Sequence, residues 1–330
     1  HYEPGDTVGQ QKWSLLKQPG FRQALSLAIN REAIIQAEFY GFGEPAQIVP
    51  SPASPFHSSR LFYAFTRYDP DRANQLLDSL GLTQRDADGY RTLPDGSPMA
   101  FFIPYQENTS TGPFQFVIDD WAAVGIRARV RHASGGLVYA LRMSATYDFF
   151  AVGSYVDFIP VVDPKSFVPV DRFAAYAPKV GAWYDAKLRA GYEDAREKAD
   201  PPASDSPFPE VFDLYERAMT ATSREEGIEV FKQIFNLAAD QLWTISIASP
   251  PPAIAIVRDD FKNVPISGLR GNVFHTPLNL GVEAFYFEDP DRVALDAARL
   301  KSELTTAGAS PYLESIDRAG PDEQGARVTG

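Results

Sequence analysis

Asp86-Ala87-Asp88-Gly89 is a run whose residue types could hold an ion, because alternating carboxylates before a glycine open a calcium loop. Position five would be Tyr90, and no glutamate follows at the required place, so the run reads as a turn. The four histidines, His1, His57, His132 and His275, are scattered without metal-ligand spacing, and there is no cysteine. Disulfides, thiolate catalysis and zinc–thiolate sites are thereby excluded. Gly-x-Ser-x-Gly, a Walker phosphate loop, a dinucleotide fingerprint and His-Glu-x-x-His are all missing. Carboxylates are abundant enough that a paired Asp/Glu hydrolase stays open as an alternative, although no pair stands out. The expectation is a protein without metal or cofactor that is not an enzyme.

Charge narrows the partners. Asp and Glu number 43 against 31 Lys and Arg, a formal charge of −12. Phosphate-backbone binding needs clustered cations that displace counterions, so nucleic acid is not an expected partner. The short alternation Arg127, Arg129, Arg131 is most simply the solvated face of a strand. With 44% apolar and 22% charged residues over 330 positions, the balance is that of an ordinary globular protein. No apolar run is long enough to span a bilayer, and His1-Tyr2-Glu3-Pro4 does not read as a signal peptide.

The elements that must position any site follow from periodicity. Phe21, Leu25 and Ala28 share a helical face, after which Asn30 reads as an N-cap and Gly41 as a left-handed C-cap. The prolines from Pro45 to Pro55 predict an extended surface segment. Asp69-Pro70 opens a helix carrying Ala73, Leu76, Leu77 and Leu80, closed by Gly81. Asp86–Gly89 and Pro94-Asp95-Gly96 bracket a hairpin leading into a strand at Met99–Ile103. A helix through Phe116, Trp121 and Val124, a strand at Ile126–Arg131, a helix near 136–145 and an apolar strand at Tyr147–Val152 complete an α/β sandwich. Residues 153–207 read as a long irregular stretch. Two helices follow, one with Phe212, Tyr215 and Met219, the other opened by a Ser223/Glu226 capping box. Leu242–Ile247 reads as a strand before Ser249-Pro250-Pro251-Pro252, where a domain crossing is expected. The tail from about 305, poor in large apolar residues, is expected to fray.

Phe21-Arg22-Gln23-Ala24-Leu25-Ser26-Leu27-Ala28-Ile29-Asn30-Arg31 resembles the Arg-Gln-Ala-Leu…Ala-Ile-Asp-Arg signature of family-5 extracellular solute-binding proteins, the dipeptide, oligopeptide and nickel receptors of ABC importers. The resemblance continues through Gly41-Phe42-Gly43-Glu44-Pro45-Ala46, the Tyr68-Asp69-Pro70 helix, Gly81-Leu82…Asp88-Gly89, Trp121…Gly125-Ile126, Tyr147-Asp148, and Gly153…Asp157 with Asp163-Pro164. The stretch through Phe285-Tyr286-Phe287 looks like a long subgroup of the family. It implies a type II periplasmic-binding-protein-like lobe, α/β with a mixed sheet flanked by helices, plus a partial segment of the other lobe. Residues 1–15 would be an inter-lobe crossing, 16–246 the second lobe, and 247–330 a return segment to a mostly absent first lobe, followed by the tail.

The same resemblance implies a site. Its Gly-Trp-x-x-Asp segment falls on Gly153-Ser154-Tyr155-Val156-Asp157, with Ser154 where the family has Trp. The backbone there would pair with a peptide ligand and Asp157 would receive its α-ammonium group; a cap on a turn is the bland reading of Asp157. Arg142 has the spacing of an arginine that meets the ligand carboxylate in some oligopeptide receptors, and is otherwise a solvated helix residue. Trp183, Tyr184 and Tyr192 would either wall side-chain pockets or anchor the loop. A monomeric periplasmic or extracellular receptor for a peptide or similar solute is implied, lipid-anchored through an upstream Cys and working with an ABC permease. An oligosaccharide-binding member of the family is the alternative.

Overall fold

The computed structural model describes residues 5–106, 112–151, 158–188, 201–249, 254–269 and 276–289, together with Tyr2, Val156, Asp291, Arg299 and Ser302. The chain divides into two compact units, 1–252 with 271–273, and 253–270 with 274–330.

The first unit opens with three helices, α1 (Thr7–Lys17), α2 (Pro19–Leu27) and α3 (Arg31–Glu38). Asp6 and Asn30 cap α1 and α3, each accepting a backbone N–H three residues on. Past α3, Tyr40 and Gly41 both adopt left-handed φ, and the Gly41 N–H returns to Ile35 O at 2.9 Å, so the C-terminal stop takes two residues where one was expected. Next come β1 (Glu44–Pro45), the short helix α4 (Ser59–Phe62) and α5 (Pro70–Ser79), the last capped by Asp69 with Pro70 in its first turn. The expected hairpin forms through isolated bridges Arg85–Arg91 and Thr92–Pro98, with Gly89 and Gly96 at positive φ.

Strand β2 (Ala100–Gln106) runs parallel to β3 (Arg127–Ala133), in register from Ala100–Arg127 to Gln106–Ala133, with α6 (Gly112–Ala123) between them in sequence. Parallel pairing needs such a crossover. Helix α7 (Gly135–Ser144) follows, then α8 (Pro178–Leu188), α9 (Phe208–Met219), α10 (Arg224–Gln241) and β4 (Ala248–Ser249). Strand β4 pairs antiparallel with β1 in a two-stranded sheet separate from β2–β3, so among the described residues parallel and antiparallel pairs occur in different sheets and the single mixed sheet that was expected is not formed.

Two apolar clusters hold this unit. The first gathers Phe21, Leu25, Ile34, Leu77, Phe101 and Trp121 from α2, α3, α5, β2 and α6, with Ile29 from between α2 and α3 and Ile126 from just before β3. Trp121 adds an indole N–H bond to Leu25 O at 3.0 Å. The second packs Phe167, Tyr184, Val211, Phe212, Phe231, Ile234 and Phe235. Its rings meet edge to face, Phe167 on Phe235 at 4.7 Å and Phe231 on Phe235 at 5.3 Å.

Four expectations need correction. The apolar run Tyr147–Ala151 is not a strand: the Asp148 carboxylate takes the Phe102 N–H at 2.8 Å, replacing a backbone ladder bond. Leu242–Ile247 is likewise not a strand, because Leu242 turns left-handed to end α10 and pairing begins only at Ala248. The 153–207 stretch is not irregular throughout, since it contains α8. Met219 is 55% exposed, and the buried stripe of α9 is Val211, Phe212, Leu214 and Ala218. The tail expected to fray lies outside the described residues.

Within the second unit, β5 (Phe261–Lys262) pairs antiparallel with β6 (Tyr286–Phe287). The Phe261 ring lies 4.6 Å from Phe287 and 5.7 Å from Phe285, and Arg258 grips Asp260 through two bonds of 2.8 and 2.7 Å. Ile254, Ile256 and Ile266 are almost fully exposed.

Candidate functional site

Gly153, Ser154, Tyr155 and Asp157, the centre of the expected site, lie outside the described residues. Their flanks are described. Upstream, Phe149 packs on the first cluster, 5.3 Å from Phe101 and 5.1 Å from Trp121, and Ala151 joins it. Downstream, Val156 and Ile159 pack on the second cluster, and Ser54 Oγ donates to Phe158 O at 2.6 Å. The described flanks thus pack on different cores.

Arg142 stands in the last turn of α7, which Ala145 closes in a left-handed conformation. Its Nη2 donates to Phe173 O at 2.9 Å, and its guanidinium lies 5.5 Å from the Phe150 ring and 5.9 Å from the Phe173 ring. Tyr147 completes this notch, 5.0 Å from Phe150. Burial pushes the Tyr147 hydroxyl up, and the charge of Arg142 opposes the shift. Arg142 thus presents a cation braced between rings, a geometry that suits a planar anion.

Trp183 and Tyr184 are placed otherwise. Tyr184 is 2% exposed and stacks on Phe212 at 4.3 Å, with its hydroxyl 3.3 Å from Glu216 Oε1. Burial and then Glu216 push that hydroxyl well above its ordinary range. Trp183 is half-buried, 6.3 Å from Phe212. Both residues join α8 to α9. Tyr192 lies outside the described residues.

The Asp86–Gly89 carboxylates are committed to the protein: Asp86 Oδ1 accepts the N–H groups of Asp88 and Tyr90 at 3.0 Å, and Arg127 Nη2 reaches Asp86 and Asp88 at 2.9 and 3.1 Å. A guanidinium sits where a calcium ion would be needed. Arg127 also stacks on Tyr90, while Arg129 and Arg131 are exposed. His57 Nδ1 meets Pro50 O at 2.9 Å, His132 is exposed on β3, and His1 and His275 lie outside the described residues. Among the described residues no cluster of His, Asp and Glu could hold a metal.

Sequence reasoning missed a set of buried cations. Arg22 reaches Gln241 O at 2.9 and 2.6 Å and Leu16 O at 2.5 Å; Arg31 reaches Ser246 O and Ser26 O, both at 2.8 Å. Desolvation lowers both guanidinium pKa values to about 10. Arg91 holds Asn74, Asp78, Leu82 and Val124. Lys12 and Asp148 form an enclosed ion pair at 2.6 Å. For Arg22 the available signal was its place beside Phe21 in an apolar helix; Arg31, between Asn30 and Glu32, gave none.

A mixed α/β body with these motifs in this order is a lobe of the type II periplasmic-binding-protein fold. Residues 9–168 match the family described as bacterial extracellular solute-binding proteins, family 5 middle. The glutathione-binding protein GsiB of Salmonella choleraesuis (strain SC-B67) is 30% identical over 118 residues, 36% of this chain and 20% of that protein. The solved oligopeptide-binding protein OppA matches with a TM-score of 0.70 and 27% identity over 86% of this chain and 45% of its own. The periplasmic binding protein MelB from Agrobacterium fabrum C58, in complex with stachyose, gives a TM-score of 0.62 and 21% identity over 79% of this chain and 37% of that one. The chain thus spans about a fifth of the length of the curated relatives it matches and under half of these solved structures.

Proposed function

We propose that this chain is the ligand-contacting part of a receptor for an ABC importer, capturing peptides or similar small polar solutes and handing them to a membrane permease. The carrying observation is Arg142, braced between Phe150 and Phe173, with Phe149 packed on the first cluster and Ile159 on the second. Asp157 would receive the ligand ammonium and Arg142 its carboxylate, so a zwitterion meets complementary charges in a site that closure dries. Removing the carboxylate would leave a desolvated ammonium unpaired, a cost on the order of 3–5 kcal/mol. Gly153, Ser154 and Tyr155 would line the backbone of the ligand. Likeness to an oligopeptide-binding protein and to a glutathione-binding protein supports the peptide class.

The receptor would work outside the cytoplasm as a monomer, lipid-anchored, without a cofactor or metal and without catalysis. The return segment after Pro252 would complete an opposing lobe, a role that suits the exposed Ile254 and Ile256. An oligosaccharide is the competing ligand, prompted by the stachyose complex of MelB. Trp183, the ring a sugar would stack on, faces Phe212 instead, which weighs against it.

Amide NMR of the chain titrated to millimolar concentrations with tri-alanine, glutathione and stachyose tests the reading. Peptides are expected to shift Arg142 and the 147–151 amides, and Asp157→Ala is expected to abolish the shifts. A response to stachyose alone would refute the peptide class, silence with all three ligands would refute the receptor reading, and turnover of any of them would refute the absence of catalysis.

A further inference from the structure

Helix α7 is apolar and uncovered. Over its 10 residues it carries Leu137, Val138, Tyr139, Leu141 and Met143, yet it buries none of them. Leu137 and Tyr139 are 51% and 56% exposed, and among the described residues the Tyr139 ring meets no other ring and its hydroxyl makes no hydrogen bond. Exposed apolar residues scattered singly are ordinary; a helix that exposes several in succession marks a surface that something else covers. Phe173, whose ring Arg142 faces, is 41% exposed as well.

Arg142 gives this face its charge. With about 3.6 residues per turn, Val138 and Tyr139 stand one turn before Arg142 on the same side of α7, whereas Leu137 lies about 140° away around the axis. The guanidinium directs one N–H to Phe173 O at 2.9 Å and forms no ion pair among the described residues. Asp171, the carboxylate two residues before Phe173, is engaged by the Phe173 N–H at 2.7 Å and by Lys165 at 3.8 Å. The arginine fork therefore keeps donors for a carboxylate from outside.

Whatever is bonded to a carboxylate held in that fork must lie against the surface around it. In a peptide the α-carbon is one bond from the terminal carboxylate, so the last side chain falls beside the rings and the valine that flank Arg142. Those groups reward an apolar side chain by burial, whereas an ammonium there would meet the like charge of Arg142.

We propose that this face sets ligand specificity: Val138, Tyr139 and Phe173 seat a large apolar side chain on the residue whose carboxylate Arg142 holds, so the receptor selects peptides that end in an aromatic or long aliphatic residue. This rests on the receptor reading above, and the experiment separates the two.

The chain is titrated with Ala-Ala-Phe, Ala-Ala-Ala and the carboxamide of Ala-Ala-Phe, and affinities are read by amide NMR. Ala-Ala-Phe is expected to bind at least tenfold more tightly than Ala-Ala-Ala, and its carboxamide at least tenfold more weakly than the acid. In Tyr139→Ser the preference for Phe over Ala is expected to fall below threefold. Leu137→Ser, an equally exposed change on another side of α7, is expected to keep it. Equal affinities for Ala-Ala-Phe and Ala-Ala-Ala overturn the proposal and leave the receptor reading standing, whereas silence with every peptide overturns both. Equal affinity of acid and carboxamide overturns the link to Arg142. A preference undiminished in Tyr139→Ser, or lost equally in Leu137→Ser, overturns the assignment to this face. A concentration-dependent dimer in sedimentation that Tyr139→Ser abolishes gives the face to a second copy of the chain and also overturns the proposal. Comparing the peptides on the parent protein needs no variant, so it stays decisive even where Tyr139→Ser fails to fold.

Discussion

Arg31 Nε donates to the carbonyl oxygen of Ser246 at 2.8 Å, across 215 residues of sequence. The same guanidinium reaches Ser26 O, Ser26 Oγ and Thr66 O, so one side chain ties the start of α3 to the chain just before β4. Arg22, nine positions earlier in the same motif, does the equivalent at Gln241 and Leu242. The signature by which the family is known is, in this chain, a pair of carbonyl clamps.

Arg31→Met should therefore destabilise the protein by about 3 kcal/mol, because the buried carbonyls lose a charged donor that nothing replaces. Arg31→Lys should recover less than half of this, since an ammonium cannot span the same carbonyls as a planar fork. Urea unfolding followed by circular dichroism measures both, and equal stability of Arg31→Met and the parent protein would contradict the clamp.

Gly43 adopts φ +107°, and a Cβ there would stand 2.6 Å from Ser249 O. Gly43→Ala should cost about 2 kcal/mol and open the β1–β4 pair, through both the strained backbone and the clash. Faster hydrogen exchange near Ala46, whose N–H meets Ile247 O, would register the opening.

Tyr184→Ala should cost about 3–5 kcal/mol by leaving a cavity against Phe212, whereas Tyr184→Phe should cost about 1 kcal/mol, the worth of its hydroxyl bond. Thermal melts of the two variants would separate ring packing from the hydroxyl; near-equal losses would mean that the hydroxyl dominates.

Asp120 accepts the Asn30 N–H at 2.8 Å, yet burial raises its carboxyl pKa above the ordinary value, with Asp119 adding to the shift. A group whose folded pKa is raised contributes stability that is full below its unfolded pKa and is lost as pH rises through the folded one. Asp120→Asn keeps an acceptor and has no charge to desolvate. It should be more stable than the parent at pH 7, by less than about 1 kcal/mol for a half-exposed group, with the difference vanishing below about pH 4. A constant difference across that range would rule out ionisation as the cause.

Local features were legible in the residues because their causes are local. Asn30, Asp69 and Ser223 each accept an N–H three residues ahead, so type and position suffice to place the helix starts. Even there the Ser223 box differs in detail: Glu226 reaches back to the Thr222 N–H at 3.0 Å, one residue earlier than the standard partner. Of the candidate site, the sequence supplied Arg142 through its spacing, but its brace of Phe150 and Phe173 is tertiary.

By itself, then, the sequence determined the likeness of residues 9–168 to the solute-binding family, the α/β class, the helix caps and the turns, all of which follow from bonds made within a few residues or from motifs in order. It could not determine whether Tyr147–Ala151 would be a strand or a segment pinned by one carboxylate, nor whether Tyr184 would line a cleft or stack in a core. Those outcomes depend on which partner is near: Lys12 for Asp148 and Phe212 for Tyr184. A buried charge or ring is stabilised only by groups that folding brings to it from far along the chain, and that proximity is the one quantity periodicity does not encode.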